Sequence, residues 1–199
     1  PYLIGYYLVG MHMLGVAKWI GQEIKKQHRD RVVFLARDGY LPMKVFQIYA
    51  EHMNPELKTE YMQASRKALM PVMIRDKVNF YQLPVEYRGH TPQTLLEILE
   101  FAAEDGKKLD EKDLNMTQPF QSLADFHKFI SLFLEKLYSE KKHQKRKEMV
   151  CEYYSGLQKS DILFDMGYSG RIQAAICEAA GFPVDALFIH EDYGTSVQK

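Results

Sequence analysis

Two stretches of this chain carry the residue types that handling a charged ligand requires. The first is Arg37-Asp38-Gly39-Tyr40, directly after the apolar run Val32–Ala36. The second is Asp165-Met166-Gly167-Tyr168-Ser169-Gly170-Arg171, directly after Ile162-Leu163-Phe164. Arginine offers a planar fork of donors that matches phosphate or carboxylate. Asp38 and Asp165 have the chemistry to hold Mg²⁺, and Asp165 also suits a general base. Gly39, Gly167 and Gly170 let backbone approach a ligand closely. Ser169 can donate to a phosphate oxygen or cap the following helix. Arg171 falls in a first helical turn, where its charge opposes the helix dipole and a bound anion would compensate. The alternative for the first stretch is an Arg–Asp pair tying down a turn; for the second, an ordinary capped turn.

Other polar groups follow strand signals. Ser65-Arg66 comes after a second strand; Arg66 either joins Arg37 in one cationic pocket or is a surface arginine. His190, Glu191 and Asp192 follow the last strand, where a polar strand exit is the preferred reading. His12 reads as an interior histidine. The run Lys141–Lys147 reads as the solvated face of an amphipathic helix.

These residues need elements to position them. Helices are predicted over Leu3–Lys26 and Leu41–Met53, and strands at Val32–Ala36 and Thr59–Ala64. From 79 to 154 strand signal is scarce. Thr91-Pro92 opens a helix through Ala102, since threonine caps and proline suits the first helical position. Leu123, Phe126, Phe129, Ile130, Phe133, Leu134 and Leu137 follow helical periodicity, and their aromatics read as core. A strand at Asp161–Phe164, a helix to Ala180 and a strand at Ala186–Ile189 complete the pattern. Alternating strands and helices predict an α/β fold, three-layered and mainly parallel, with a helical insertion. Residues 1–78 form the first α/β half, 79–154 the insertion or cap, and 155–199 the second half of one domain. In an open sheet of this kind ligands bind outside the carboxyl ends of the strands, and helix N-termini there favour anions.

Composition narrows the partners. The 26 basic residues balance 26 acidic ones, so there is no overall electrostatic case for nucleic acid or an anionic membrane. Cys151 and Cys177 form no C-x-x-C pair, which disfavours a disulfide scaffold or zinc ribbon and fits a cytoplasmic setting. Pro1–Ile20 is almost wholly apolar, long enough to raise a membrane span. His12, Lys18 and three glycines favour a buried helix packed on the sheet instead, and we expect no membrane span. Because the chain opens on Pro1 and stops at Lys199 without a clear ending, we expect a piece of a longer protein with a domain upstream.

Phe34-Leu35-Ala36-Arg37-Asp38-Gly39-Tyr40-Leu41, Ser65-Arg66-Lys67-Ala68-Leu69 and Asp165–Gln173 together resemble a bacterial family. It is the region following the haloacid-dehalogenase (HAD)-type domain in large predicted hydrolases of cell-surface polysaccharide gene clusters, often joined to glycosyltransferases. The resemblance covers Gly5 to about Asp192. It implies a bacterial cytoplasmic protein linked to surface-glycan synthesis, with the dehalogenase-type catalytic domain upstream of Pro1. A weaker similarity is to phosphoribosyltransferases, which carry an early pyrophosphate loop and a late acidic–glycine loop; here the late loop has one acid, Asp165. The fold expected is thus Rossmann-like or phosphoribosyltransferase-like. The expected ligand is a phosphorylated sugar or sugar nucleotide, with Mg²⁺, and transfer or hydrolysis at a phosphate-linked sugar as the reaction. Arg37, Gly39, Arg66, Gly167, Ser169, Gly170 and Arg171 would bind it, and Asp38 and Asp165 would hold metal or act as base. The alternative is a non-catalytic docking or structural module for the upstream hydrolase or a fused glycosyltransferase.

Overall fold

The computed structural model describes residues 1–53, 55–74, 87–109, 114–167 and 170–190. Among them are four strands and seven helices in an α/β arrangement. Helix α1 (Tyr2–Lys26) leads to β1 (Arg31–Leu35), α2 (Tyr40–Met53) and β2 (Lys58–Met62). Helices α3 (Arg66–Met73), α4 (Pro92–Ile98), α5 (Leu123–Lys136) and α6 (Glu140–Tyr154) follow. The chain returns through β3 (Ile162–Asp165), α7 (Arg171–Ala180) and β4 (Asp185–Phe188).

The chain divides into two compact units. The first comprises Pro1–Ser65, Gly156–Gln173 and Gly181–Lys199; the second comprises Arg66–Ser155 and Ala174–Ala180. The first holds the sheet. Its strands are all parallel, in the order β2-β1-β3-β4. Val32, Val33 and Phe34 of β1 pair with Ile162, Leu163 and Phe164 of β3. All six are fully buried. Strands buried on both faces read as continuous apolar runs, which is why β1 and β3 stand out in the sequence. Phe34 meets Phe46 and Phe164 at ring-centroid distances of 5.7 and 5.2 Å, joining α2 to both central strands.

Helix α1 behaves as two halves. Met13, Val16, Ala17, Ile20 and Ile24 recur at helical spacing and are buried in the core of the first unit. The other half, including a π-helical stretch at Gly5–Gly10, has no buried residue through His12. The expectation of a helix buried throughout therefore holds only from Met13 onward, and His12 is exposed rather than interior. An apolar composition marks surface that water disfavours, but it does not say that this chain supplies the cover. By length and composition alone α1 could also cross a membrane. Its end is sharply defined: His28, at φ 52°, lets its own N–H and that of Arg29 return to Lys25 and Ile24 carbonyls.

At the amino edge of the sheet the charges are paired. Arg31 bonds Asp161 and Glu60, each at 3.2 Å, and the Gly156 carbonyl. Arg29 donates to the Lys159 carbonyl at 2.9 Å and pairs with Asp185. Asp161 is fully buried, and its second contact is the Gln158 N–H at 2.7 Å. Removing Arg31 would leave that carboxylate buried without its ion-pair partner, a costly state.

The second unit is helical among the described residues. Helix α4 begins with a capping box on Thr91, with Pro92 in its first turn, and α5 begins with one on Ser122. Helix α4 stops at Ile98, short of Ala102, because Glu100 turns to φ 64°. Lys141–Lys147 lies on a separate helix, α6, rather than on a continuation of α5. Helix α3 starts where the sequence suggested only a strand exit. Phe101, Phe120, Phe126, Phe129 and Phe133 form a buried aromatic cluster, with Phe101 and Phe133 edge-to-face at 5.0 Å.

His143 is the buried member of the basic run, edge-on to Phe101 at 5.7 Å. Its Nε2 has no hydrogen-bond partner among the described residues. Burial holds its pKa below the ordinary value of 6.5; Lys142 and Arg146 push the same way and Glu100 opposes. The folded state therefore favours the neutral ring. This contribution to stability is complete above about pH 6.5 and is lost as pH falls through the lower folded-state value. Urea midpoints measured from pH 8 to 5 should fall less steeply for His143→Phe than for the wild type.

Candidate functional site

The carboxyl edge of the sheet places the two chemistry-bearing loops side by side. Strands β1 and β3 are paired neighbours, so the loop after Leu35 and the loop after Asp165 leave the sheet together. The strand order reverses direction between them: β2 lies on one side of β1, while β3 and β4 lie on the other. In open α/β sheets a crevice forms where the order reverses, because successive connections diverge to opposite faces.

The first loop is tight. Gly39 donates to the Leu35 carbonyl at 2.9 Å, and Ala36 to that of Met62. A Cβ at Gly39 would sit 2.4 Å from the Leu35 oxygen, so only glycine lets the loop close on its own strand. The Ala36–Arg37 peptide bond is cis. Arg37, Asp38 and Tyr40 are exposed while Gly39 is buried. The Arg37 carbonyl accepts from the Tyr40 N–H at 3.3 Å, but the Arg37 and Asp38 side chains make no ion pair or hydrogen bond among the described residues, so the turn is held by backbone and not by an Arg–Asp pair. Tyr40 stands edge-on to Tyr61 of β2 at 5.6 Å. Sequence reasoning passed over Tyr40 as a site residue; its signal was an aromatic following the Arg-Asp-Gly turn at the helix start.

In the second loop, the half-buried Asp165 accepts from the Gly167 N–H through Oδ1 at 3.0 Å. This folds the chain back at the strand end as an Asx turn. Gly170 is buried and has φ 62°, a conformation suited to glycine, and delivers the chain into α7 at Arg171. Arg171 is half-buried. Gln173 secures α7 by donating to the Val184 carbonyl at 2.7 Å, just before β4. Tyr168 and Ser169 lie outside the described residues, as do Glu191 and Asp192. His190 is exposed.

The glycine amides at Gly39 and Gly167 are thus engaged within their own loops. Their part is to shape the edge, where Arg37, Asp38, Asp165 and the start of α7 are the other polar groups. Arg66 begins α3 in the second unit, whereas the other site residues belong to the first. Among the described residues no three His, Cys, Asp or Glu side chains converge as an all-protein metal cage. Mg²⁺ does not require one: a single carboxylate or two, with phosphate oxygens and water, is its usual set.

Fold and edge together define an α/β protein with a parallel sheet, whose polar loops after β1 and β3 leave neighbouring strand ends. No family model and no curated protein matches the chain.

The geometry separates shape from charge, and mutation should do the same. Gly39→Ala forces a side chain against backbone and should cost about 1–3 kcal/mol. Arg37→Ala and Asp38→Ala remove exposed groups and should stay within roughly 0.5 kcal/mol of wild type. Urea unfolding of the three variants checks the contrast.

Proposed function

We propose that the carboxyl edge between β1 and β3 binds a phosphorylated sugar or sugar nucleotide. One observation carries the reading: the strand order reverses between the two strands whose loops hold Arg37, Asp38 and Asp165. The state of the charges supports it. At the opposite edge arginines and carboxylates are locked together, whereas Arg37 and Asp38 stand exposed and uncommitted.

In this reading Arg37 grips phosphate with its fork of donors. The α7 start at Gly170 and Arg171, with Ser169, receives a further phosphate oxygen. Asp38 and Asp165 are the residues to hold Mg²⁺, which when bound would neutralise phosphate charge. Asp165 is the candidate base for transfer or hydrolysis at the phosphate-linked carbon. Tyr40 offers an aromatic face to a sugar ring or base. Arg66, in the other unit, is left out of this site. The fold type is read as Rossmann-like on the order reversal alone. The sequence resemblance supplies the setting: a bacterial, cytoplasmic module of a HAD-type hydrolase or glycosyltransferase protein in surface-polysaccharide synthesis. The second reading, a docking module, is favoured by a different feature, the uncovered apolar half of α1.

Thermal denaturation with phosphate, pyrophosphate, phosphoribosyl pyrophosphate, sugar phosphates and sugar nucleotides, with and without Mg²⁺, tests the proposal. A ligand at a hundred times its Kd stabilises by about 2.7 kcal/mol. For a chain of this length that is roughly 5–10 °C in Tm. One ligand class should produce such a shift in the wild type and none in Arg37→Ala. No shift with any of them, or an equal shift in the variant, would overturn the assignment.

A further inference from the structure

The half of α1 that leaves the core is apolar on every side. Tyr2, Leu3, Ile4, Tyr6, Tyr7, Leu8, Val9, Met11 and Leu14 are all exposed, Tyr2 by 79% and Leu8 by 67%. No Asp, Glu, Lys or Arg occurs before Lys18. The exposed surface of these nine residues is on the order of 1,000 Å², beyond the largest apolar patch of an ordinary monomer. It also exceeds the roughly 800 Å² that each partner gives to a standard interface.

The next turns of the same helix form the wall of an apolar groove. Met11, His12, Gly15 and Trp19 lie across from Phe188 and Ile189 at the end of β4, bordering an open groove of about 420 Å³. A Cβ at Gly15 would meet nothing within 4 Å, so the groove is open at that point. An apolar projection and an apolar groove therefore lie on one helix, end to end.

We infer that two copies of this chain pair through α1, crossing antiparallel near Met11. The projecting half of each helix fills the groove of the other, and Leu8 of one copy sits over Gly15 of its mate. This is an isologous contact: one surface serves twice, and both apolar features are covered at once. The small residue at Gly15 admits the opposing helix closely. The inference is independent of the strand-end ligand.

Lipid is the competing cover. From Met13 onward the buried stripe of α1 is packed into the core of the first unit, so that part of the helix is committed to protein; the vesicle measurement below separates the two covers for the rest.

Sedimentation and disulfide trapping of the 199-residue chain test the pairing. In detergent-free buffer the wild type should sediment at twice the 23.2 kDa chain mass, and Leu8→Glu at the chain mass with an unchanged circular dichroism spectrum. Leu8 is exposed, so that variant spares the core. Chains carrying Leu8→Cys, mixed with chains carrying Gly15→Cys, should form a disulfide-linked pair. Neither variant alone should do so above the wild-type background from Cys151 and Cys177. Within one helix the two positions are about 10 Å apart, too far for a disulfide. A monomeric wild type, a Leu8→Glu dimer, or mixed chains that fail to cross-link would each overturn the inference. Flotation of a monomeric wild type with phosphatidylcholine vesicles would assign the surface to lipid instead.

Discussion

The parallel pairing of β1 with β3 joins two segments separated by most of the chain. Val32, Val33 and Phe34 lie against Ile162, Leu163 and Phe164, buried on both faces, and Phe46 locks the pair from α2. Parallel strands cannot be joined by a tight hairpin, so a long excursion between them is required in any case. Here the excursion contains β2 and the helices of the second unit. The register sets where each strand ends, and so brings Arg37 and Asp165 to the same edge. A slip of one residue would move every side chain to the other face and break the packing of Phe34 on Phe46 and Phe164, so the core that fixes the register also fixes where the two loops leave the sheet.

Charge divides between the two edges of the sheet. At the amino edge Arg29 and Arg31 are tied to Asp185, Asp161 and Glu60, which holds the strand starts together. At the carboxyl edge, hydrogen bonds inside the loops satisfy Gly39 and Gly167, while Arg37 and Asp38 remain exposed. Loops shaped by their own backbone leave side chains available for other work, and that division favours a ligand reading over a structural one. The same logic applies to α1: its buried stripe is committed to the core, and its apolar other half is not.

Much of this was legible from the residues. Continuous apolar runs marked β1 and β3, Thr91-Pro92 marked the start of α4, and the polar loops that follow β1 and β3 were marked by their glycines and charges. What was not legible depends on distant contacts. Strand order is a tertiary property, so the sequence offered two loops without saying that they are neighbours. Arg66 could be read as a strand exit; that it also opens helix α3 was not legible, because the helix is fixed by the burial of Leu69, Met70, Val72 and Met73. Periodicity ran past Ile98 and across Leu137–Ser139 because it measures apolar spacing and not where a backbone turns. The glycine amides looked free for a ligand, but short loops closed by their own hydrogen bonds consume them.

The central claim is that a phosphate-bearing ligand sits at the edge between β1 and β3. It is tested most directly by following backbone and arginine side-chain NMR resonances during titration with whichever sugar nucleotide raises Tm, in the presence of Mg²⁺. The account predicts that Asp38, Tyr40, Asp165, Gly170, Arg171 and the Arg37 guanidinium shift together and saturate together, while Arg31 and Asp161 at the other edge stay still. Saturating shifts confined to residues away from those two loops would contradict it.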